Sequence, residues 1–156
     1  MKWIYFFGNL EGRIGRKTFW IASILVIMME FIVATIAAVI TMEFVSKAAG
    51  HTAADIVMFL FLVPQFLIAV KRAHDRNIST WVVSAWLVML ATTDVLDFFG
   101  WLPTRINLNV FSPANLLLFA YTMTAGVVSL ALLIELCFRR GTNGPNRYGP
   151  DPLAKA

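Results

Sequence analysis

The sequence has few charged residues, one cysteine and two histidines. Asp, Glu, Lys and Arg make up 14% of its 156 residues, against roughly 25% in soluble domains. The hydrophobic fraction of 59% and the mean hydropathy of +0.74 exclude a disordered chain and a typical soluble enzyme. Cys137 alone cannot form an internal disulfide, and two histidines are too few for a His/Cys metal cluster. We therefore expect no metal and no cofactor.

Four long apolar runs stand out, over about residues 19–42, 52–73, 80–102 and 113–140. Each is long enough to cross a bilayer as a helix, which takes about 20 residues. Ser112 and Pro113 form a good helix start for the fourth run, and Gly141 supplies a stop. The sequence therefore predicts an all-α fold: one integral membrane domain over residues 1–156, built as a polytopic four-helix bundle with short loops.

Lys and Arg are unevenly distributed between the predicted loops. Eleven of the 13 fall in residues 1–18, in the end of span two and the loop that follows it, and in the tail at 141–156 with the adjoining end of span four. Cytoplasmic loops collect positive charge, so this pattern predicts that both termini face the cytoplasm. Residues 1–18 then form a cytoplasmic interfacial segment, and residues 141–156 form a cytoplasmic tail. The basic pI of 9.6 needs no nucleic-acid partner to explain it.

Three motifs lie on this predicted cytoplasmic side. They read G-R-I-G-R-K-T-F-W over residues 12–20, K-R-A-H-D-R-N over 71–77, and R-R-G-T-N-G-P-N-R-Y-G-P-D-P over 139–152. Together they resemble the bacterial inner-membrane family catalogued as domain of unknown function 805, along nearly the whole chain. In that family the three corresponding patterns resemble G-R-x-x-R-x-x-[FY]-W, R-R-x-H-D and N-[RK]-[FY]-G-x-D-P. Lys71 replaces its first arginine of the turn, and Asn77 replaces a glycine. The resemblance implies a small four-span protein of the bacterial inner membrane and no known reaction.

The basic motifs allow two interpretations. In the first, the positive charges only determine the topology and attract anionic lipid, an attraction of about 1 kcal/mol per basic residue. In the second, the three segments converge on an anionic headgroup or a phosphate-bearing ligand. The candidate ligand-binding residues of that site are Arg13, Arg16, Lys71, Arg72, His74, Asp75, Arg76, Arg139, Arg147 and Tyr148.

His74 and Asp75 are the one pair that resembles an acid–base site. Adjacent residues do not face each other on a helix, and no nucleophile or metal cluster accompanies them. The simpler interpretation pairs Asp75 with a local arginine and lets His74 cap the carbonyl end of span two. We therefore name no catalytic residue, and the sequence favours a non-enzymatic role.

Acidic residues also occur inside the predicted spans, at Glu30, Asp94 and Asp97. Glu30 near the bilayer centre is either a proton or substrate site or a neutral side chain hydrogen-bonded between helices. Asp94 and Asp97 either line a polar outer cavity or mark the point where the third helix frays. We favour fraying, with residues 95–102 lying flat at the outer interface. Glu135 and Arg139 should form an i, i+4 ion pair.

These features favour a multi-pass membrane protein that binds anionic lipid headgroups or a phosphate-bearing ligand and regulates or assembles other membrane proteins. The resemblance implies that the membrane is the bacterial inner membrane. One alternative is a small proton-coupled transporter or exporter that uses Glu30 with Asp94 or Asp97, expected as a homodimer. Another is a membrane enzyme acting on lipid through His74 and Asp75. The expected partners are membrane lipids, a second copy of the chain or other membrane proteins, and not nucleic acid.

Overall fold

The protein consists of four long helices. The structure, a computed structural model, describes residue 8 and residues 10–101 and 112–153, apart from the side chain of Ala114. The helices are α1 (Arg16–Phe44), α2 (Lys47–Asp75), α3 (Thr80–Phe98) and α4 (Pro113–Cys137). All four are long and apolar enough to cross a membrane, and the described part of the chain contains no strand. This confirms the predicted all-α fold with four helices long and apolar enough to span a membrane, and the cytoplasmic placement of both termini stays a prediction.

The helix ends differ from the predicted spans. Both α1 and α2 have 29 residues and begin earlier than expected, and α4 stops at Cys137, before the predicted end at 140. The hydroxyl of Ser112 accepts a hydrogen bond from the Asn115 N–H at 3.1 Å, as its predicted N-cap role requires. Residues 1–7 and 9 of the predicted interfacial segment, Leu102 of the third span and residues 154–156 of the predicted tail lie outside the described residues.

The predicted fraying of the third helix is wrong. Helix α3 continues through Asp94 and Asp97 and ends at Phe98. The hydroxyls of Thr92 and Thr93 donate to the Val88 and Met89 carbonyls one turn earlier, so these polar residues fit within the helical ladder. The two carboxylates therefore belong to the spanning helix, as the alternative of a polar cavity requires.

The buried core lies at one end of the bundle, where α1 and α3 begin and α2 and α4 end. We call this the basic end. Buried residues there include Ile14, Ile68, Val70, Val83 and Leu136. Elsewhere large apolar side chains point outward over most of each helix, which suits contact with lipid chains. Helices α1 and α2 form the most extensive pair, and α4 contacts the others least.

Polar side chains join the helices within the apolar zone. The Gln65 amide of α2 donates to the Glu30 carboxylate of α1. The Trp86 indole of α3 donates to the Ser129 hydroxyl of α4 at 2.9 Å, and the Tyr121 hydroxyl donates to the Met89 carbonyl at 2.7 Å. Water does not compete for these bonds inside a bilayer, so they fix how neighbouring helices align. Glu30 thus has the interhelical partner that one of its two interpretations requires.

Candidate functional site

The three sequence motifs meet at the basic end and fold into one unit, which we call the polar cap. It comprises residues 12–15 before α1, residues 71–78 at the end of α2, and residues 138–153 after α4. The Ile14 N–H donates to the Lys71 carbonyl at 3.3 Å, and the Thr142 N–H donates to the Asp75 carbonyl at 2.8 Å. Backbone hydrogen bonds therefore tie both flanking segments to the last turn of α2.

Asp75 is the centre of the polar cap. The Arg13 guanidinium donates to its Oδ1 at 2.9 Å and 3.3 Å, and the Arg72 guanidinium donates to its Oδ2. The three side chains are at most 4% exposed. A buried charge is tolerated only when it is paired and hydrogen-bonded, and each of these is. The expected pairing of Asp75 with a local arginine is present, and a second arginine reaches it from across the sequence.

Arg13 also holds the tail. Its guanidinium donates to the carbonyls of Thr142 at 2.8 Å, Gly144 at 2.8 Å and Gly149 at 3.2 Å. The planar guanidinium offers five donors in a fixed fork, so one side chain can fix several turns of the tail at once. Arg13 therefore connects the segment before α1 to the tail after α4.

Arg72 donates hydrogen bonds to backbone carbonyls at and just after the end of α4. Its Nε donates to the Leu136 carbonyl at 2.7 Å, and its Nη2 donates to the Arg139 carbonyl. The last carbonyls of a helix lack partners within the helix and need outside donors. Arg72 supplies them while it also neutralises Asp75.

Gly141 allows the tail to pass close to Asp75. A Cβ at this position would lie 2.0 Å from the Asp75 Oδ2 atom, so no other residue fits without a shift. Asn77 has a φ of 59°, a left-handed conformation that asparagine tolerates well. This explains how Asn77 can stand where the family pattern has glycine.

His74 is buried against both flanking segments. Its Nδ1 lies 3.2 Å from the Gly12 carbonyl and its Nε2 lies 2.8 Å from the Thr80 hydroxyl. The carbonyl can only accept, so the network assigns the proton to Nδ1. The Tyr148 ring stacks on the imidazole at 3.7 Å and 5°. The expectation that His74 caps α2 is wrong, because its ring reaches Gly12 and Thr80 instead of the last carbonyls of that helix.

The tail is further attached by Asn146 and Asp151. The Asn146 amide donates to the His74 carbonyl at 2.9 Å and to the Thr142 hydroxyl at 2.9 Å. The Asp151 carboxylate accepts hydrogen bonds from the N–H groups of Leu153 and Gly144, which lower the pKa of Asp151 from its ordinary value. These contacts keep residues 141–153 folded back over the end of α2.

Glu135 joins two of the predicted basic residues. Its carboxylate pairs with Arg139 at 3.0 Å, which confirms the expected i, i+4 pair, and with Arg76 at 2.7 Å. Lys71 is fully buried in the cap. Arg147 is exposed, donates to the Asn77 carbonyl at 3.2 Å and lies over the Tyr148 ring. Gly12, Gly141, Thr142 and Asn146 were missing from the predicted site, although all four lie within the motifs that predicted it.

A second group of basic residues stays exposed at the edge of the cap. We call it the basic rim, and it consists of Arg16, Lys17, Arg139 and Arg140. The Arg16 guanidinium donates to the Phe138 carbonyl at 3.3 Å, so the start of α1 and the segment after α4 lie side by side. Next to it the Trp20 ring packs edge-on against the Phe138 ring, with their centroids 6.1 Å apart. Both rings are partly exposed.

In the described part of the chain, no cluster of three or more His, Cys, Asp or Glu side chains could hold a metal ion.

Comparison with known proteins gives a family and no function. Neither the curated proteins nor the solved structures give a match. The family described as "Protein of unknown function (DUF805)" matches residues 7–150. The chain therefore belongs to the DUF805 family of proteins of unknown function.

Proposed function

We propose that this chain is a non-enzymatic protein of the bacterial inner membrane that binds anionic phospholipid headgroups through its basic rim. The observation that carries the proposal is a division among the arginines. Arg13 and Arg72 are buried and bonded to Asp75 and to backbone carbonyls, whereas the rim residues keep their charge exposed beside two aromatic rings.

The proposed orientation places the basic end in the cytoplasm. The motifs that form the polar cap hold most of the Lys and Arg of the chain, and positive charge favours the cytoplasmic side. Trp20 and Phe138 lie next to the rim, between charged residues and the apolar helices. Tryptophan prefers this depth at a membrane surface. The rim then meets the inner leaflet, whose anionic lipids attract basic side chains at about 1 kcal/mol each.

The polar cap is the support of this surface and not the binding site. A headgroup that reached Arg13 or Arg72 would have to separate them from Asp75, and breaking a buried ion pair costs about 3–5 kcal/mol. One exposed lipid contact does not offset that loss. Arg16 and Arg139 belong to the rim; the other predicted ligand-binding residues hold the cap in shape, so that the start of α1 lies beside the end of α4.

The geometry does not favour an enzyme that uses His74 and Asp75. Both ring nitrogens of His74 have partners in the fold, and the Asp75 carboxylate faces two arginines rather than the imidazole. Tyr148 covers the face of the ring. A proton relay between the two side chains would need all these contacts to rearrange.

The proposal is tested by native mass spectrometry of the protein released from nanodiscs of zwitterionic lipid and phosphatidylglycerol. The test variant is Lys17→Gln with Arg140→Gln, because neither side chain has a hydrogen bond within the described residues. The control is Lys47→Gln with Lys155→Gln, which removes the same number of positive charges at positions that are not part of the rim. We expect phosphatidylglycerol to be retained by the parent chain and by the control. At about 1 kcal/mol per basic residue, the rim variant should lose about 30-fold in affinity.

Equal retention by the rim and control variants would contradict the proposal. Retention of zwitterionic lipid to the same extent as phosphatidylglycerol would do so as well. Far-UV circular dichroism of each variant shows whether the helices remain folded. Substitution of Arg13 or Arg72 is unsuitable here, because it would disturb the cap itself.

A further inference from the structure

His74 lies where three consecutive tail residues attach to the polar cap. The Asn146 amide donates to the His74 backbone carbonyl at 2.9 Å, and the Tyr148 ring stacks on the His74 imidazole at 3.7 Å. Between them in the chain, Arg147 donates to the Asn77 carbonyl at 3.2 Å. A change in the charge of this imidazole therefore acts directly on the contacts that hold residues 141–153 over the end of α2.

The hydrogen bonds of the imidazole suit its neutral form. The residue is 4% exposed, its Nδ1 donates to the Gly12 carbonyl at 3.2 Å, and its Nε2 accepts from the Thr80 hydroxyl at 2.8 Å. A proton added at Nε2 makes this nitrogen a donor, so the Thr80 hydroxyl would have to reverse and lose the acceptor of its own proton. The charged ring would also be buried, which is costly unless an anion faces it.

Among the described residues, the charged groups around the imidazole do not supply that anion. Arg147 of the tail and Lys71 of α2 both bring positive charge towards the ring. The neighbouring Asp75 carboxylate is bonded to Arg13, from the segment before α1, and to Arg72. The contacts from α3 and from the stacked tail ring come from uncharged side chains with hydroxyl groups. A protonated His74 would therefore face a net positive surrounding.

We propose that His74 is a pH-sensitive switch whose neutral imidazole holds the tail on the polar cap and whose protonated imidazole releases it. The docked cap disfavours the charged ring, so the undocked state binds more protons. Docking therefore has its full strength above the ordinary imidazole pKa of about 6.5 and weakens as the pH falls below it. This switch does not depend on lipid binding at the basic rim.

The test measures trypsin cleavage after Arg147 at about pH 7.5 and at about pH 5.5, on either side of the ordinary imidazole pKa. The full chain is in nanodiscs of zwitterionic lipid, and each rate is divided by the rate on a short arginine peptide at the same pH. The test variants are His74→Phe, which keeps an aromatic ring, and His74→Gln, which keeps a polar side chain. His51→Phe is the control, because His51 is exposed at the opposite end of α2.

In the parent chain we expect the normalised rate to rise about threefold to tenfold at the lower pH, since one pH unit below the free imidazole pKa sets a limit of about tenfold. His51→Phe should show the same rise. In both His74 variants the two rates should differ by less than about twofold, because the titrating group is absent. Equal rates in the parent, a rise that persists in a folded His74 variant, or its loss in His51→Phe would overturn the proposal.

A second measurement covers the case in which neither His74 variant folds. The His51→Phe chain retains His74 as its one histidine, so NMR of its imidazole resonances follows the protonation of that ring directly. We expect these resonances to change over the same pH range in which cleavage after Arg147 becomes faster. Resonances that stay constant while the tail is released would show that another group controls the release, and the proposal would be wrong.

Discussion

Replacing Asp75 by asparagine should open the polar cap. The carboxylate offers one oxygen to Arg13 and the other to Arg72, and all three side chains are at most 4% exposed. An asparagine has a single side-chain oxygen, so its NH₂ group would face the donors of one guanidinium. Asp75→Asn would therefore leave buried positive charge uncompensated, which costs about 3–5 kcal/mol.

Glu135→Gln is the matched control for this change. Glu135 also joins two arginines, but its side chain and that of Arg76 are each 21% exposed, and Arg139 is 63% exposed. Ion pairs open to water contribute about 0–1 kcal/mol. The same chemical change should therefore have a much smaller effect on the cap at Glu135 than at Asp75.

The assay is limited trypsin digestion after Arg147, with the protein in nanodiscs. The cleavage rate follows the fraction of molecules whose tail is undocked when opening is fast relative to cleavage. A loss of 3 kcal/mol corresponds to an increase of about 100-fold in that fraction, since 1.4 kcal/mol is tenfold. We expect Asp75→Asn to be cleaved at least about 100-fold faster than the parent chain, and Glu135→Gln within about fivefold of it. Equal rates for the two variants would refute the reasoning that buried pairing holds the tail.

Three further outcomes are expected. Gly141→Ala should release the tail as Asp75→Asn does, because the new Cβ would lie 2.0 Å from the Asp75 Oδ2 atom. Its control is Gly126→Ala, whose Cβ meets open space, so this variant should be unchanged or more stable in trypsin digestion and thermal unfolding. Tyr148→Ala should lose about 0.5–1.5 kcal/mol of docking by the same digestion, and Tyr148→Phe, which keeps the stack on the His74 imidazole, should not. The pKa of Asp151 is lower in the folded protein, so its carboxylate stabilises the tail above the unfolded pKa of about 3.9, and this contribution is lost as the pH falls through the folded pKa. Hydrogen exchange of residues 141–153 should become faster over that fall in pH. In Asp151→Asn this pH dependence should be absent.

The four spanning helices could be predicted from the sequence because their signal is local. A run of about 20 apolar residues needs no knowledge of the rest of the chain to be assigned to a membrane. The three motifs likewise predicted that one end of the bundle carries the unusual polar residues. The predicted helix ends were less accurate. The prediction that α3 frays near Asp94 was wrong, because the helix continues to Phe98 and places Asp94 and Asp97 at a cavity, the alternative that the sequence analysis did not favour.

The division of the arginines could not be predicted. Arg13 and Arg16 are three residues apart in one motif, yet Arg13 is buried and Arg16 is exposed. What separates them is the part of the last segment that each one contacts: Arg13 donates to carbonyls at Thr142, Gly144 and Gly149, whereas Arg16 donates to the Phe138 carbonyl at the end of α4. Both residues are arginines with the same charge, so the sequence does not distinguish them. The position of residues 141–153 in the fold determines that Arg13 is the buried one.

The position of Arg13 has a consequence for how the protein is made. Arg13 precedes the first helix, and its carbonyl partners on Thr142, Gly144 and Gly149 follow the last. During synthesis those partners reach Arg13 only after all four helices have been made and inserted. A truncated or wrongly inserted chain leaves Arg13 and Arg72 without their tail and helix-end carbonyls, and so exposes a charged, unclosed end. Closure of the cap therefore requires all four helices together with the segments before α1 and after α4.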